Sequence, residues 1–119
     1  TTREFAEEFA ARMRPDGFYV LNLIDYPPLG FAKAQTATLA AVFEHIVVIA
    51  PPSYLNGTQG GNFVIVASDS PVDIAGLEAE LAARSSSAVP IAGSAVIEFV
   101  EGAEVLTDDH APVDQLITN

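Results

Sequence analysis

Asp25 and Tyr26 stand side by side where an apolar run gives way to the pair Pro27-Pro28. A carboxylate next to a phenol at the end of a strand can hold a cationic amine through charge and hydrogen bonding. In open α/β sheets ligands gather beyond the carboxyl ends of the strands. The same residues also fit a plainer role, in which Asp25 ends its strand and caps the turn before Pro27. Asp108, Asp109, His110 and Asp114 make an oxygen-rich cluster with one imidazole, but their spacing matches neither a calcium loop nor a zinc motif. They read as carboxylates that pin the tail by accepting backbone N–H groups, and no metal is expected. Gly57, Gly60 and Gly61 precede a strand, whereas a phosphate cradle opens a helix. Asn56-Gly57-Thr58 spells a glycosylation acceptor and reads equally as Asn-Gly turn chemistry, the reading adopted without a secretory signal. With two histidines and no cysteine, no Ser-His-Asp triad or Cys-His pair can be assembled. His45, at the head of a strand, reads as a boundary residue.

These side chains belong to a chain of 119 residues, half of them apolar and 18% charged, enough for one compact core and too apolar for disorder. Five basic against 16 acidic residues give a net charge of −11, which repels a nucleic-acid backbone or an anionic membrane surface. The absence of cysteine excludes a disulfide framework and a thiol nucleophile. No apolar run reaches membrane-spanning length and Thr1 to Met13 is acidic and amphipathic, so a soluble, cytoplasmic protein is expected.

The elements that must position the candidates follow from periodicity. Thr1 and Glu4 have capping-box spacing, and Phe5, Phe9 and Met13 recur every four residues, predicting a helix from Thr1 to Arg14. Phe18 to Ile24 (FYVLNLI) is apolar on both alternating faces except at Asn22, the pattern of a buried central strand with neighbours on both edges. The prolines predict an extended exit from it. A second helix is predicted within Gly30 to Glu44, a strand over His45 to Ala50, a loop over Pro51 to Gly61, and a third strand over Asn62 to Ala67. A loop alone joins the last two strands, so they should run antiparallel. The third strand is expected between the first two, antiparallel to both, because a right-handed crossover through the second helix can leave a gap for it. Asp73 is placed to cap a helix to about Arg84, and a short helix is predicted from Ser94 to Val100, with Gly102 past its end. Ser85-Ser86-Ser87 reads as a surface loop. The fold expected is α/β, with a three-stranded mixed sheet whose last strand is antiparallel and flanking helices.

That order resembles the second half of a class I S-adenosylmethionine-dependent transferase, a Rossmann-like methyltransferase fold whose last strand is inserted antiparallel. The runs LNLIDYPPLGFAKAQTATLAAVFEHIVVIAPP, GGNFVIVASDSP and LTDDHAPVDQLI resemble the carboxy-terminal half of spermidine synthase-like proteins, the aminopropyltransferases, in their actinobacterial form. The resemblance covers the chain from Thr1 to Asn119, a single partial domain. It implies a parent transferase that uses decarboxylated S-adenosylmethionine or S-adenosylmethionine. The Gly-rich cofactor turn, the ribose-binding acid and the catalytic aspartate would all lie in an upstream half of the same polypeptide. No catalytic or cofactor-binding residue is then expected in this chain, and the fragment alone is expected to be inactive. The loop Pro52 to Asn62 resembles the one that lends aromatic residues to the polyamine pocket, which adds Tyr54 and Asn62 to Asp25 and Tyr26 as candidate substrate-binding residues. Spermidine-forming members carry a tyrosine and a tryptophan near the start of the final strand, whereas this chain has no Trp and offers Asn62-Phe63.

Three functions follow as expectations. The chain forms the acceptor side of a cleft for aminopropyl transfer to a diamine or other small cation; or it belongs to a methyltransferase of another specificity; or it is a non-catalytic dimerisation module. Fold alone does not choose among them. Without a fourth-strand neighbour, Phe18 to Ile24 would expose an apolar edge, so a homo-oligomer is also expected.

Overall fold

The computed structural model describes residues 2–12 and 17–107, with side chains given outside 8–12. The order is α1 (Arg3–Arg12), β1 (Tyr19–Asp25), α2 (Gly30–Ala40), β2 (His45–Ala50), α3 (Pro52–Leu55), β3 (Gly61–Ser68), α4 (Ile74–Ala83), β4 (Val89–Ala92) and α5 (Ser94–Phe99). The sheet runs β1-β3-β2-β4, and every neighbouring pair is antiparallel. The central position of β3, antiparallel to both β1 and β2, is the one expected from the crossover through α2. The expected three-stranded mixed sheet is corrected to four strands, with no parallel neighbours, among the described residues. The added strand, β4, is short and contains Pro90, a residue that argues against a strand in a sequence and is tolerated at a sheet edge.

One face of the sheet carries the core. Tyr19 and Leu23 of β1, Phe63, Ile65 and Ala67 of β3, and Ile46, Val48 and Ala50 of β2 are buried there with Ala32 and Leu39 of α2 and Val96 and Phe99 of α5. α2 is buried along most of its length because Ala and Thr let it lie close. The hydroxyls of Thr36 and Thr38 donate back to the carbonyls of Ala32 and Ala34, at 2.8 and 2.7 Å, so their burial leaves no unmade bond. α1 packs on α2. Its capping bond comes from Thr2, whose Oγ1 accepts the Phe5 N–H at 3.3 Å; Thr1 lies outside the described residues. The described tail is held by Leu106, which is fully buried: its N–H donates to Thr38 Oγ1 at 2.8 Å and its carbonyl accepts the Arg3 N–H at 2.7 Å. Asp108, Asp109, His110 and Asp114, expected to pin the tail, lie outside the described residues.

β1 departs from its expected environment. Val20, Asn22 and Ile24 are exposed while Tyr19, Leu23 and Asp25 are buried, so among the described residues the strand is half-exposed and pairs on one side, with β3. Its outer face continues across β3 through Val66, Val64 and Asn62, and α4 lies toward the other end, against β4. Three local readings hold. Asp73 caps α4, accepting the Gly76 N–H at 3.0 Å, Gly102 takes φ 80° past α5, and the serine run is exposed. The Pro51 to Gly61 loop contains one helical turn, α3, that sequence reasoning had left as coil.

Candidate functional site

Asp25 is 4% exposed, at the carboxyl end of β1. Its Oδ1 accepts the Tyr26 N–H and its Oδ2 accepts the Ala32 N–H, both at 2.9 Å. Ala32 is in the first turn of α2. The residue before that helix, Leu29, is left-handed (φ 66°) and offers no side-chain cap. Asp25 therefore supplies from the strand the anion that an N-cap residue ordinarily supplies from the helix entry. The chain reaches α2 through a tight turn, in which Leu29 N–H donates to the Tyr26 carbonyl at 2.9 Å and the Pro27-Pro28 bond is cis, and not through the expected extended exit.

Tyr26 is 63% exposed. It sits against Gly60, where an added methyl would lie 2.5 Å from Tyr26 Cα and from the Asp25 carbonyl oxygen. Next in sequence, Gly61 pairs with Asp25, and an added methyl there would lie 2.7 Å from Tyr54 Oη. The two glycines thus let the start of β3 pass between the tyrosines. The Tyr54 ring packs on Phe63 with centroids 5.8 Å apart, and Phe63 packs on Phe99 at 6.4 Å. Asn62, exposed, stands opposite Ile24 on the outer face. Asp25, Tyr26 and Tyr54 therefore lie around the two glycines where β1 ends and β3 begins, and Asn62 stands next to them in sequence but on the opposite, outer face of the sheet. Tyr26 and Asn62 are exposed and Tyr54 is half-buried against the core, while both oxygens of Asp25 are engaged with backbone.

The loop that carries Tyr54 is internally tied. The Ser53 carbonyl accepts the N–H groups of Thr58 and Gln59 and the Thr58 hydroxyl, each at 3.0 Å. Asn56 Oδ1 accepts the Thr58 N–H and lies 2.7 Å from the same hydroxyl, whose single proton it shares with the Ser53 carbonyl, and Gly57 takes φ 81°, the turn chemistry read from Asn-Gly. A separate cleft of about 340 Å³ opens beside the first turn of α2, lined by Gly30, Lys33, Ala34 and residues 101–104. None of the four candidates lines it. Lys33 Nζ lies 5.6 Å from the Phe99 ring centroid, a cation–π contact. Among the described residues no group of three or more His, Cys, Asp or Glu could hold a metal ion, and no helix is long and apolar enough to cross a membrane.

The architecture and sequence together have a counterpart among solved structures. Over 95% of its length the chain superposes, with a TM-score of 0.80 and 32% identity, on a probable spermidine synthase from Corynebacterium glutamicum. The chain is spermidine synthase-like. It spans 43% of that relative's length, as a carboxy-terminal half would. No family model matches the spermidine synthase-like chain, and no curated protein matches it. The structure adds what no spacing rule showed, that Gly60 and Gly61 set the approach of the two tyrosines. The signal available in the sequence was the pair of small residues next to the strand's start.

Proposed function

We propose that this chain forms the acceptor side of a cleft in a spermidine synthase-like transferase that moves an aminopropyl group from decarboxylated S-adenosylmethionine to a diamine. What supports the reading is the likeness across 95% of the chain, with Asp25, Tyr26 and Tyr54 close together at one end of the sheet. Such a transfer forms a C–N bond as a C–S bond of the sulfonium donor breaks, and the attacking amine gives up a proton. The chain's share is to hold the amine. Tyr26 and Tyr54 can offer aromatic faces and phenol oxygens to an alkylammonium group at the strand ends, and Asn62, on the outer face, can accept a hydrogen bond only from a group that reaches round the edge. Asp25 acts at one remove, fixing the Tyr26 backbone to the start of α2. The base and the cofactor contacts come from the upstream half of the same polypeptide, in a cytoplasmic setting. The missing tryptophan favours one variation, an acceptor other than putrescine or a methyl transfer on the same fold.

The test is kinetic, in the longer polypeptide that contains this segment. Tyr54→Ala should raise the diamine KM about tenfold with the donor KM unchanged, the mark of lost acceptor binding. An unchanged diamine KM sinks the acceptor-side reading. The 119-residue chain alone should show no saturable heat with decarboxylated S-adenosylmethionine in calorimetry. Tight binding there would place the cofactor site inside this chain.

A further inference from the structure

Asn56-Gly57 is the chain's only asparagine followed by glycine; Asn22 precedes Leu23 and Asn62 precedes Phe63. A glycine has no side chain to crowd its nitrogen, and that nitrogen can attack the preceding side-chain amide without any enzyme. The bond from the Gly57 nitrogen to Asn56 Cγ forms, the Cγ–Nδ2 bond breaks, and ammonia leaves with the proton of the Gly57 nitrogen. Water then opens the five-membered imide. Cleavage at Cγ gives aspartate, and cleavage at the main-chain carbonyl gives isoaspartate, whose backbone runs through the side chain. Asn56, Gly57 and Thr58 are all exposed, and a methyl placed on Gly57 would meet no described atom within 4 Å.

The loop holds this pair away from the reaction. Asn56 closes α3 with ψ 0°. Imide closure needs Cβ and the Gly57 nitrogen on the same side of the Cα–C bond, about a third of a turn away and in a region that L residues sparsely populate. The Gly57 N–H donates to the Tyr54 carbonyl at 3.1 Å, and the Thr58 and Gln59 N–H groups donate to the Ser53 carbonyl at 3.0 Å. Asn56 Oδ1 accepts the Thr58 N–H at 3.0 Å. Rotation about the Asn56 Cα–C bond breaks these contacts, so the reactive geometry exists only when the loop opens. We propose that Asn56 is a deamidation site gated by that opening, at which aspartate and isoaspartate accumulate as the protein ages. Aspartate keeps an oxygen for the Thr58 N–H and adds one negative charge. Isoaspartate lengthens the backbone between Tyr54 and Gly61 and releases the turn. The contacts that carry the inference are local to residues 53–59, and it does not depend on the acceptor-side reading.

The test uses the longer polypeptide that contains this segment, incubated beside a synthetic peptide of residues 52–61 and followed by peptide mapping with mass spectrometry. Conversion at Asn56 should be slower in the folded protein than in the peptide. The slowing should equal the factor by which the Gly57 and Thr58 amides are protected from hydrogen exchange, since one opening frees both. Thr58→Val removes the hydroxyl shared by Asn56 Oδ1 and the Ser53 carbonyl. With circular dichroism showing an unchanged fold, it should convert roughly five- to tenfold faster than the parent. Conversion should quicken as pH rises, because the attacking nitrogen must give up its proton, while Asn22 and Asn62 stay amides. A folded protein that converts as fast as the peptide overturns the proposal, because the loop then gates nothing. So does one that keeps its Asn56 amide far longer than its exchange protection allows, and so does a folded Thr58→Val no faster than the parent. If Thr58→Val loses its fold, the comparison of slowing with protection in the parent decides alone.

Discussion

Replacing Asp25 by alanine leaves the Tyr26 and Ala32 N–H groups without their acceptor, in a place that water scarcely reaches. Hydrogen bonds to a buried charged group contribute roughly 1.5–3 kcal/mol each, so the variant should lose at least about 2 kcal/mol and roughly 5–10 °C in Tm. Asp25→Asn should recover part of this, since one amide oxygen can still accept while the NH2 faces a donor. Denaturant titration of the two variants checks the order. A loss below about 0.5 kcal/mol in Asp25→Ala would mean that the carboxylate is not holding the turn. At Gly60 the effect is steric. A methyl 2.5 Å from the backbone of Asp25 and Tyr26 cannot be relieved by rotating a side chain. Gly60→Ala should cost about 1–3 kcal/mol and displace Tyr26, visible as changed tyrosine resonances.

The elements depend on one another through a few polar bonds. Thr38→Val keeps the shape of α2 and removes the acceptor of the buried Leu106 N–H. It should cost about 1–3 kcal/mol and speed amide exchange at Leu106, whose N–H loses its acceptor, and at Arg3, whose N–H donates to the Leu106 carbonyl. Protection unchanged at both would show that the tail is held by its apolar side chain alone. How much of this was legible depends on range. β1, β2, β3 and α2 follow from apolar periodicity within each segment, and their order follows from the handedness of one crossover. The cap on α4 follows from Asp73 alone. β4 was missed because Pro90 and the serine run before it speak for a loop, and only its pairing with β2 makes it a strand. The engagement of Asp25 with Ala32 was hidden because it depends on how the chain turns at Leu29. A run apolar on both sides, as in β1, says that partners are wanted on both edges, and among the described residues it has one, β3.

For the whole molecule, charge acts against compactness. A chain of net charge −11 repels itself, so its stability should rise as ionic strength goes from about 0.01 to 0.15 M and the screening length falls from about 30 to 8 Å. Thermal melts across that range give the sign, and a Tm lowered by salt would point to ion pairs as the larger contribution. The sheet order has a further consequence, for the chain as it is made. β1 and β2 are not neighbours; each waits for β3, and β4 pairs only with β2. None of the ladders among the described residues can close until residues 61–68 have left the ribosome. Until then β1 and β2 both lack the strand that joins them, a period in which the nascent segment is a natural client for a chaperone. Force-sensing stalled chains should register the folding of this segment only after Ser68 has cleared the exit tunnel, with no step of its own when β2 emerges.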